Sequence, residues 1–179
     1  LSKDSYCSQH IPSMDIGWGE RAAAAMLLRY NLVSHKYGAR IGRATSWGLK
    51  HVDSRNPFAQ YVATAAQTEL LGKAVFLEDV RFAPGARAYV FDDREGRVVA
   101  AVWRFTLALD YGTENANTMT LNLAGIEPEF FDMMGNGVKG EIIRDGTVER
   151  VRLPLGNFPV YVRVAKRHAK RLALAITSA

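Results

Sequence analysis

The chain has 179 residues, of which 48% are hydrophobic and 23% charged, with a net charge of +5. That composition belongs to one folded domain, or one domain with part of another, and excludes a disordered or collagen-like polymer. Apolar runs such as Val98 to Trp103 are far too short to cross a bilayer, and the single cysteine, Cys7, excludes an internal disulfide framework.

Residues 1–17 are polar and irregular, and no basic stretch followed by an apolar run opens them, so no secretory signal is read and localisation stays open. A helix is expected from about Gly19 to Tyr37. Ala22 to Ala25 are strong helix formers, and Ala23, Met26, Leu27, Tyr30 and Val33 recur at helical spacing. Gly38 stands where a left-handed residue stops a helix. The short stretch Ala39 to Trp47 reads as one strand. A second helix follows, with Asn56 as N-cap, Pro57 at its first position and Gly72 at its end. Its apolar stripe is read as Phe58, Tyr61, Val62, Ala65, Ala66 and Leu70.

From Ala74 the period changes from helical to alternating. Strands are expected at Val75–Phe82, Arg87–Asp92, Val98–Leu109, Thr118–Leu123, Glu129–Met133, Val138–Arg144, Thr147–Leu153 and Phe158–Val164. Turn sequences separate them: Asp93-Arg94-Glu95-Gly96, Gly135-Asn136-Gly137 and Asp145-Gly146. Short strands at such intervals suggest two packed antiparallel sheets. The fold class is therefore α+β: N-terminal helices with one strand, then an antiparallel β-sandwich. The division is 1–73 α-rich, 74–165 strand-rich, and 166–179 a basic C-terminal tail. Lys166, Arg167, His168, Lys170 and Arg171 crowd that tail. It reads as a solvated face; nucleic acid is the competing partner, but no aromatic residues interleave to stack bases.

Little in the chain carries chemistry. His10, His35, His51 and His168 are scattered, without Cys or Glu at metal-ligand spacing, so neither metal nor cofactor is expected. Gly135-Asn136-Gly137 lacks a phosphate-binding lysine and a following helix. Asp92, Asp93 and Asp132 sit in turns, where capping explains them. The candidate substrate-binding residues are Trp47 and His51, with Asp53 nearby, in the loop after the lone N-terminal strand. Loops at the carboxyl ends of α/β strands hold ligands. A Trp there stacks on a sugar or, alternatively, seals the packing between strand and helix.

Several segments resemble a known family, the retaining glycoside hydrolases of the (β/α)8-barrel clan. ERAAAAMLLRYNLVSHKYGAR is similar to the penultimate barrel helix, RIGRATSW to the eighth strand, and NPFAQYVATAAQTELLGKA to the final helix. AYVFDDREGRVVAAVW, FFDMMGN and LPLGNFPVYVRV then resemble a hairpin, a turn and the last strand of the β-sandwich appended to such barrels. The resemblance spans about residues 19–164 and implies the C-terminal portion of such an enzyme. In that family two carboxylic acids perform the cleavage. The resemblance places them upstream of Leu1, so neither is assigned and no glycosidase activity is expected of this chain alone. The basic residues Arg40, Arg43 and Lys50 around the eighth-strand segment depart from the family pattern. The implied partners are carbohydrate and the remainder of a barrel domain, with no membrane. An alternative is a stand-alone carbohydrate-binding or adhesion module, which needs an exposed aromatic platform drawn from Tyr89, Trp103 and Tyr161.

Overall fold

A computed structural model describes residues 20–38, 59–105, 117–145 and 148–179. The strand read at Ala39 to Trp47 lies outside them. Three α-helices and eight strands occur among the described residues, mixed as an α+β fold.

Helix α1 (Glu20–Lys36) grows from the alanine run and stops at Gly38. That glycine has a φ of 71°, and its N–H donates to the His35 carbonyl at 3.0 Å, the left-handed ending expected. Ala23 is buried as expected, but the rest of the buried face is not the expected one. It runs through Ala24, Leu28, Asn31 and Leu32, whereas Tyr30 and Val33 remain 43% and 39% exposed. The helix is thus turned by roughly one residue, about 100°. Helix α2 (Ala59–Leu71) buries the expected Ala66 and Leu70 but otherwise shows the same correction: Gln60, Ala63, Gln67 and Leu71 are buried, while Tyr61 and Ala65 are exposed. The physical reason is a pair of facing amides. Asn31 Nδ2 donates to Gln67 Oε1 at 3.1 Å, and Gln67 Nε2 donates to the Leu28 carbonyl at 3.2 Å. The pairing offsets part of the cost of burying the amides, although Asn31 Oδ1 has no partner among the described residues, and a periodicity that counts only apolar residues misses them. Gly72 ends α2 without a positive φ. Space explains it instead, because a Cβ there would sit 2.5 Å from the Thr68 carbonyl oxygen.

The strands are β1 (Val75–Ala83), β2 (Ala86–Asp92), β3 (Arg97–Arg104), β4 (Asn117–Leu121), β5 (Glu129–Phe131), β6 (Glu141–Asp145), β7 (Val148–Leu155) and β8 (Val160–Ala165). Each expected strand that begins at or after Val75 overlaps one of these; β3 ends at Arg104, and positions 106–109 of that expectation lie outside the described residues. They form a five-stranded sheet ordered β1-β2-β3-β8-β5 and a three-stranded sheet ordered β4-β7-β6. All pairings are antiparallel.

Both faces of the five-stranded sheet are covered, which is why β3 is buried without a break from Val98 to Trp103 instead of alternating. One face carries Ala88, Val90, Ala100, Val102 and Val162. These share a cluster with Met119 of β4 and with Val151 and Leu153 of β7. The other face carries Tyr89, Phe91, Val99, Trp103 and Tyr161 against Leu32 of α1 and Leu70 and Leu71 of α2.

The C-terminal segment differs from the tail that the sequence suggested. A 3-10 turn (Lys166–His168) leads into helix α3 (Ala169–Thr177), whose Leu172 and Ile176 are fully buried in the cluster between the sheets. Its charges lie on the outer side: Lys166 Nζ pairs with Asp92 Oδ2 at 2.6 Å, and Arg171 Nη2 donates to the Ala124 carbonyl at 2.6 Å. The basic cluster hid an amphipathic helix.

Candidate functional site

The residues with most structure around them lie where the two N-terminal helices meet the closing strands. Ala24, Ala25 and Leu28 of α1 and Ala63 of α2 form one cluster with Met133 and Phe158. Met133 belongs to the turn after β5, and Phe158 to the loop between β7 and β8. Four of the segments singled out in the sequence therefore converge here.

The turn after β5 is held by Asp132. Its Oδ1 accepts from the Met134 N–H at 2.8 Å and the Asn136 N–H at 2.9 Å, and its Oδ2 accepts from Asn136 Nδ2 at 2.9 Å. Gly135 has a φ of 83°, and a Cβ on it would lie 2.8 Å from the Ala66 Cβ. A glycine is thus required twice, by the left-handed backbone and by the close approach of α2. Turn capping by Asp132, as the sequence suggests, is seen in these bonds.

Across the same junction, Arg29 of α1 reaches the β7–β8 loop. Its Nη1 donates to the Asn157 carbonyl at 3.0 Å and to Asn157 Oδ1 at 2.8 Å, while its guanidinium lies 5.3 Å from the Phe105 ring centroid. At the far end of α1, Lys36 pairs with Asp79 of β1 at 2.7 Å. Its ammonium lies within 5.7 Å of the ring centroids of Tyr37, Phe76 and Tyr89. The hydrogen bond to Asp79 raises the Lys36 pKa against the opposing effect of burial. Lys36 thus fastens the C-terminal end of α1 by charge, while the middle of the helix is held both by apolar contact and by Arg29.

The hairpin turn between β2 and β3 is a second polar knot. Asp93 Oδ1 accepts from the N–H groups of Glu95 and Arg97 at 2.8 and 3.0 Å, and its Oδ2 from Arg97 Nε at 2.8 Å. Burial pushes the Asp93 carboxyl up, yet these donors together outweigh it and hold its pKa below the ordinary carboxylate value. On the edge of the five-stranded sheet, Glu129 and Arg163 are ladder partners. They pair bidentately at 2.7 and 3.0 Å, and Arg163 lowers the Glu129 pKa.

The candidate substrate-binding residues Trp47 and His51, along with Asp53, Arg40, Arg43 and Lys50, lie outside the described residues, as does His10. His35 is structural: its Nε2 is 2.9 Å from the Ala74 carbonyl oxygen, and its ring packs 5.0 Å from that of Phe91. The three aromatics named for the alternative reading do not form an exposed platform: Tyr89, Trp103 and Tyr161 are 1%, 4% and 0% exposed beneath the helices. The Tyr161 hydroxyl lies near Gln67 but outside normal hydrogen-bond geometry, and burial raises its pKa beyond the ordinary phenol range. Among the described residues, no three His, Cys, Asp or Glu side chains come together as metal ligands, and no helix is long and apolar enough to cross a membrane.

The residues that sequence reasoning missed are Asn31, Gln67, Arg29 and Asn157. A signal for the first two was present: Asn31 follows Leu28 by three residues and Gln67 follows Ala63 by four, the spacing of one helical face. Nothing in the chain pointed to the Arg29–Asn157 pair, which is 128 positions apart.

Neither a family model nor a curated protein matches this chain. Among solved structures it is similar to a Bacillus halodurans protein provisionally named an alpha-N-acetylgalactosaminidase, at 10% identity and a TM-score of 0.45. The match covers 83% of this chain but spans only 32% of that protein.

Proposed function

We propose that this chain is the C-terminal portion of a glycoside-hydrolase-like protein: the last helices of a barrel fastened to a β-sandwich that supports it. The observation that carries the reading is the convergence at the helix–sheet junction. The segments that resemble the last two barrel helices, the FFDMMGN turn and the LPLGNFPVYVRV strand meet in one cluster, with Arg29 and Asn157 bonded across it. A sandwich that works by stabilising a neighbour needs a specific, polar-pinned contact with that neighbour, and this junction has those properties. In this reading the two catalytic carboxylic acids of the parent lie upstream of Leu1, and Trp47, with His51, contributes a residual carbohydrate contact. The domains are 1–73, the barrel-like part, and 74–165, the sandwich, with 166–179 closing the sandwich core.

The reading is tested by assaying pure chain on a panel of aryl glycosides, where no turnover is expected. Turnover that co-purifies with the folded chain through two chromatographic steps would overturn it. Titration with soluble oligosaccharides, followed by tryptophan fluorescence, addresses the residual contact: a saturable change that Trp47→Ala removes is the expected result.

A further inference from the structure

The apolar stripe that α1 does not use for its core lines something else. Met26, Tyr30 and Val33 form one wall of an open groove of about 460 Å³, and Trp103 and Phe105 belong to the same lining. A volume of that size suits a small molecule. Two arginines define its charge. Arg29 is engaged by Asn157. Arg87, half-buried and part of the lining, has one long contact, from its Nη1 to the Tyr89 hydroxyl oxygen at 3.5 Å. Arg87 is also the direct ladder partner of Arg81, so two like charges face each other across adjacent strands, an arrangement that destabilises a sheet. Neither Arg81 nor Arg87 joins an ion pair among the described residues. Among the described residues, no acidic side chain is part of the groove lining.

A cation that no described carboxylate pairs with, set beside aromatic and aliphatic walls, complements one kind of ligand. We propose that this groove binds a small amphipathic carboxylate, with the acid on the Arg87 guanidinium and the apolar body against Tyr30, Val33 and Phe105. A guanidinium accommodates a carboxylate through two parallel hydrogen bonds. The lining offers few acceptors for sugar hydroxyls, so a neutral oligosaccharide is a poor occupant. This site goes beyond the supporting role proposed above and does not depend on it.

The test titrates the chain with 4-phenylbutyrate and with its neutral counterpart 4-phenylbutanol, by calorimetry and tryptophan fluorescence. Saturable binding of the acid in the millimolar range or below is expected, about tenfold tighter than the alcohol, which is what one charge-assisted pair contributes. The difference should shrink as salt is raised. Arg87→Gln should bring acid and alcohol to equal affinity and raise the melting temperature slightly, because the repulsion from Arg81 is relieved. Should Arg87→Gln fold poorly, the salt series on the unaltered chain and Arg81→Gln, with a smaller loss for the acid alone, carry the same test. No saturable binding, equal affinity for acid and alcohol, or an unchanged acid preference in Arg87→Gln would overturn the site.

Discussion

The two faces of the five-stranded sheet are built from different chemistry. Toward the three-stranded sheet the side chains are Val and Ala, meeting Leu, Met and Val. Toward the helices they are Tyr, Phe and Trp, and the helices bring buried Asn31, Gln60 and Gln67. Apolar contact is non-directional, so the first face is held by volume and pattern. Amide pairs and edge-to-face rings, such as Tyr89 and Trp103 at 88°, have preferred geometries. The second face therefore selects one docking of α1 and α2 over others that bury similar area. A junction between two structural parts needs that selectivity more than the interior of either part does.

The largest effect should come from emptying the helix face. Trp103→Ala is expected to cost about 3–5 kcal/mol and to loosen α1 and α2 before the sheets, so far-UV helix signal should fall at lower denaturant than near-UV signal from the sheet tyrosines. On the opposite face, Leu172→Ala in α3 should cost about 2–5 kcal/mol in a single transition. Leu174→Ala, at a position 66% exposed, should change stability by less than about 0.5 kcal/mol. If Leu172→Ala is as mild as Leu174→Ala, α3 is not part of the core.

Breaking the amide pair sharpens the contrast further. Asn31→Leu or Gln67→Leu alone strands a buried partner and should cost about 1–3 kcal/mol, whereas the double substitution should cost less than the two summed. An additive result in urea unfolding would mean the pair adds no specificity. Gly135→Ala, forced into a positive φ against Ala66, should lose about 1–2 kcal/mol. The smallest effect concerns pH. The folded pKa of Asp93 is depressed, so its contribution is present above the unfolded carboxylate value of about 3.9 and is lost as pH falls through the lower folded value. The stability gap between the parent and Asp93→Ala should thus be constant near neutrality and narrow below about pH 4. A gap that widens in acid would contradict the hydrogen bonds seen at that turn.

Much of the strand region was legible because alternation and turn residues are local signals. Asp93 to Gly96 and Asp132 to Asn136 carry their own hydrogen-bonding groups, and each folds as its sequence suggests. The helix faces were misread by one residue for a specific reason: with Ala on every side from Ala22 to Ala25, the stripe is decided by Asn31 and by its partner on another helix. The basic run from Lys166 drew attention from Leu172 and Ile176, three and seven residues beyond Ala169. Trp47 and His51, the candidates for sugar contact, stay expectations, and the groove beside α1 had no signature in the chain except an apolar stripe assigned to the wrong use.

The sequence by itself determined the order of α1, α2 and the strands that follow them, the antiparallel pairing and the glycine at the end of α1, since turn chemistry and backbone φ act over a few residues. Tertiary structure alone decided which face of α1 is buried, that α3 completes the core, and that Arg29 meets Asn157. Those outcomes depend on which distant groups can satisfy one another when water is removed, and a buried amide or guanidinium is stable only once its partner is in place.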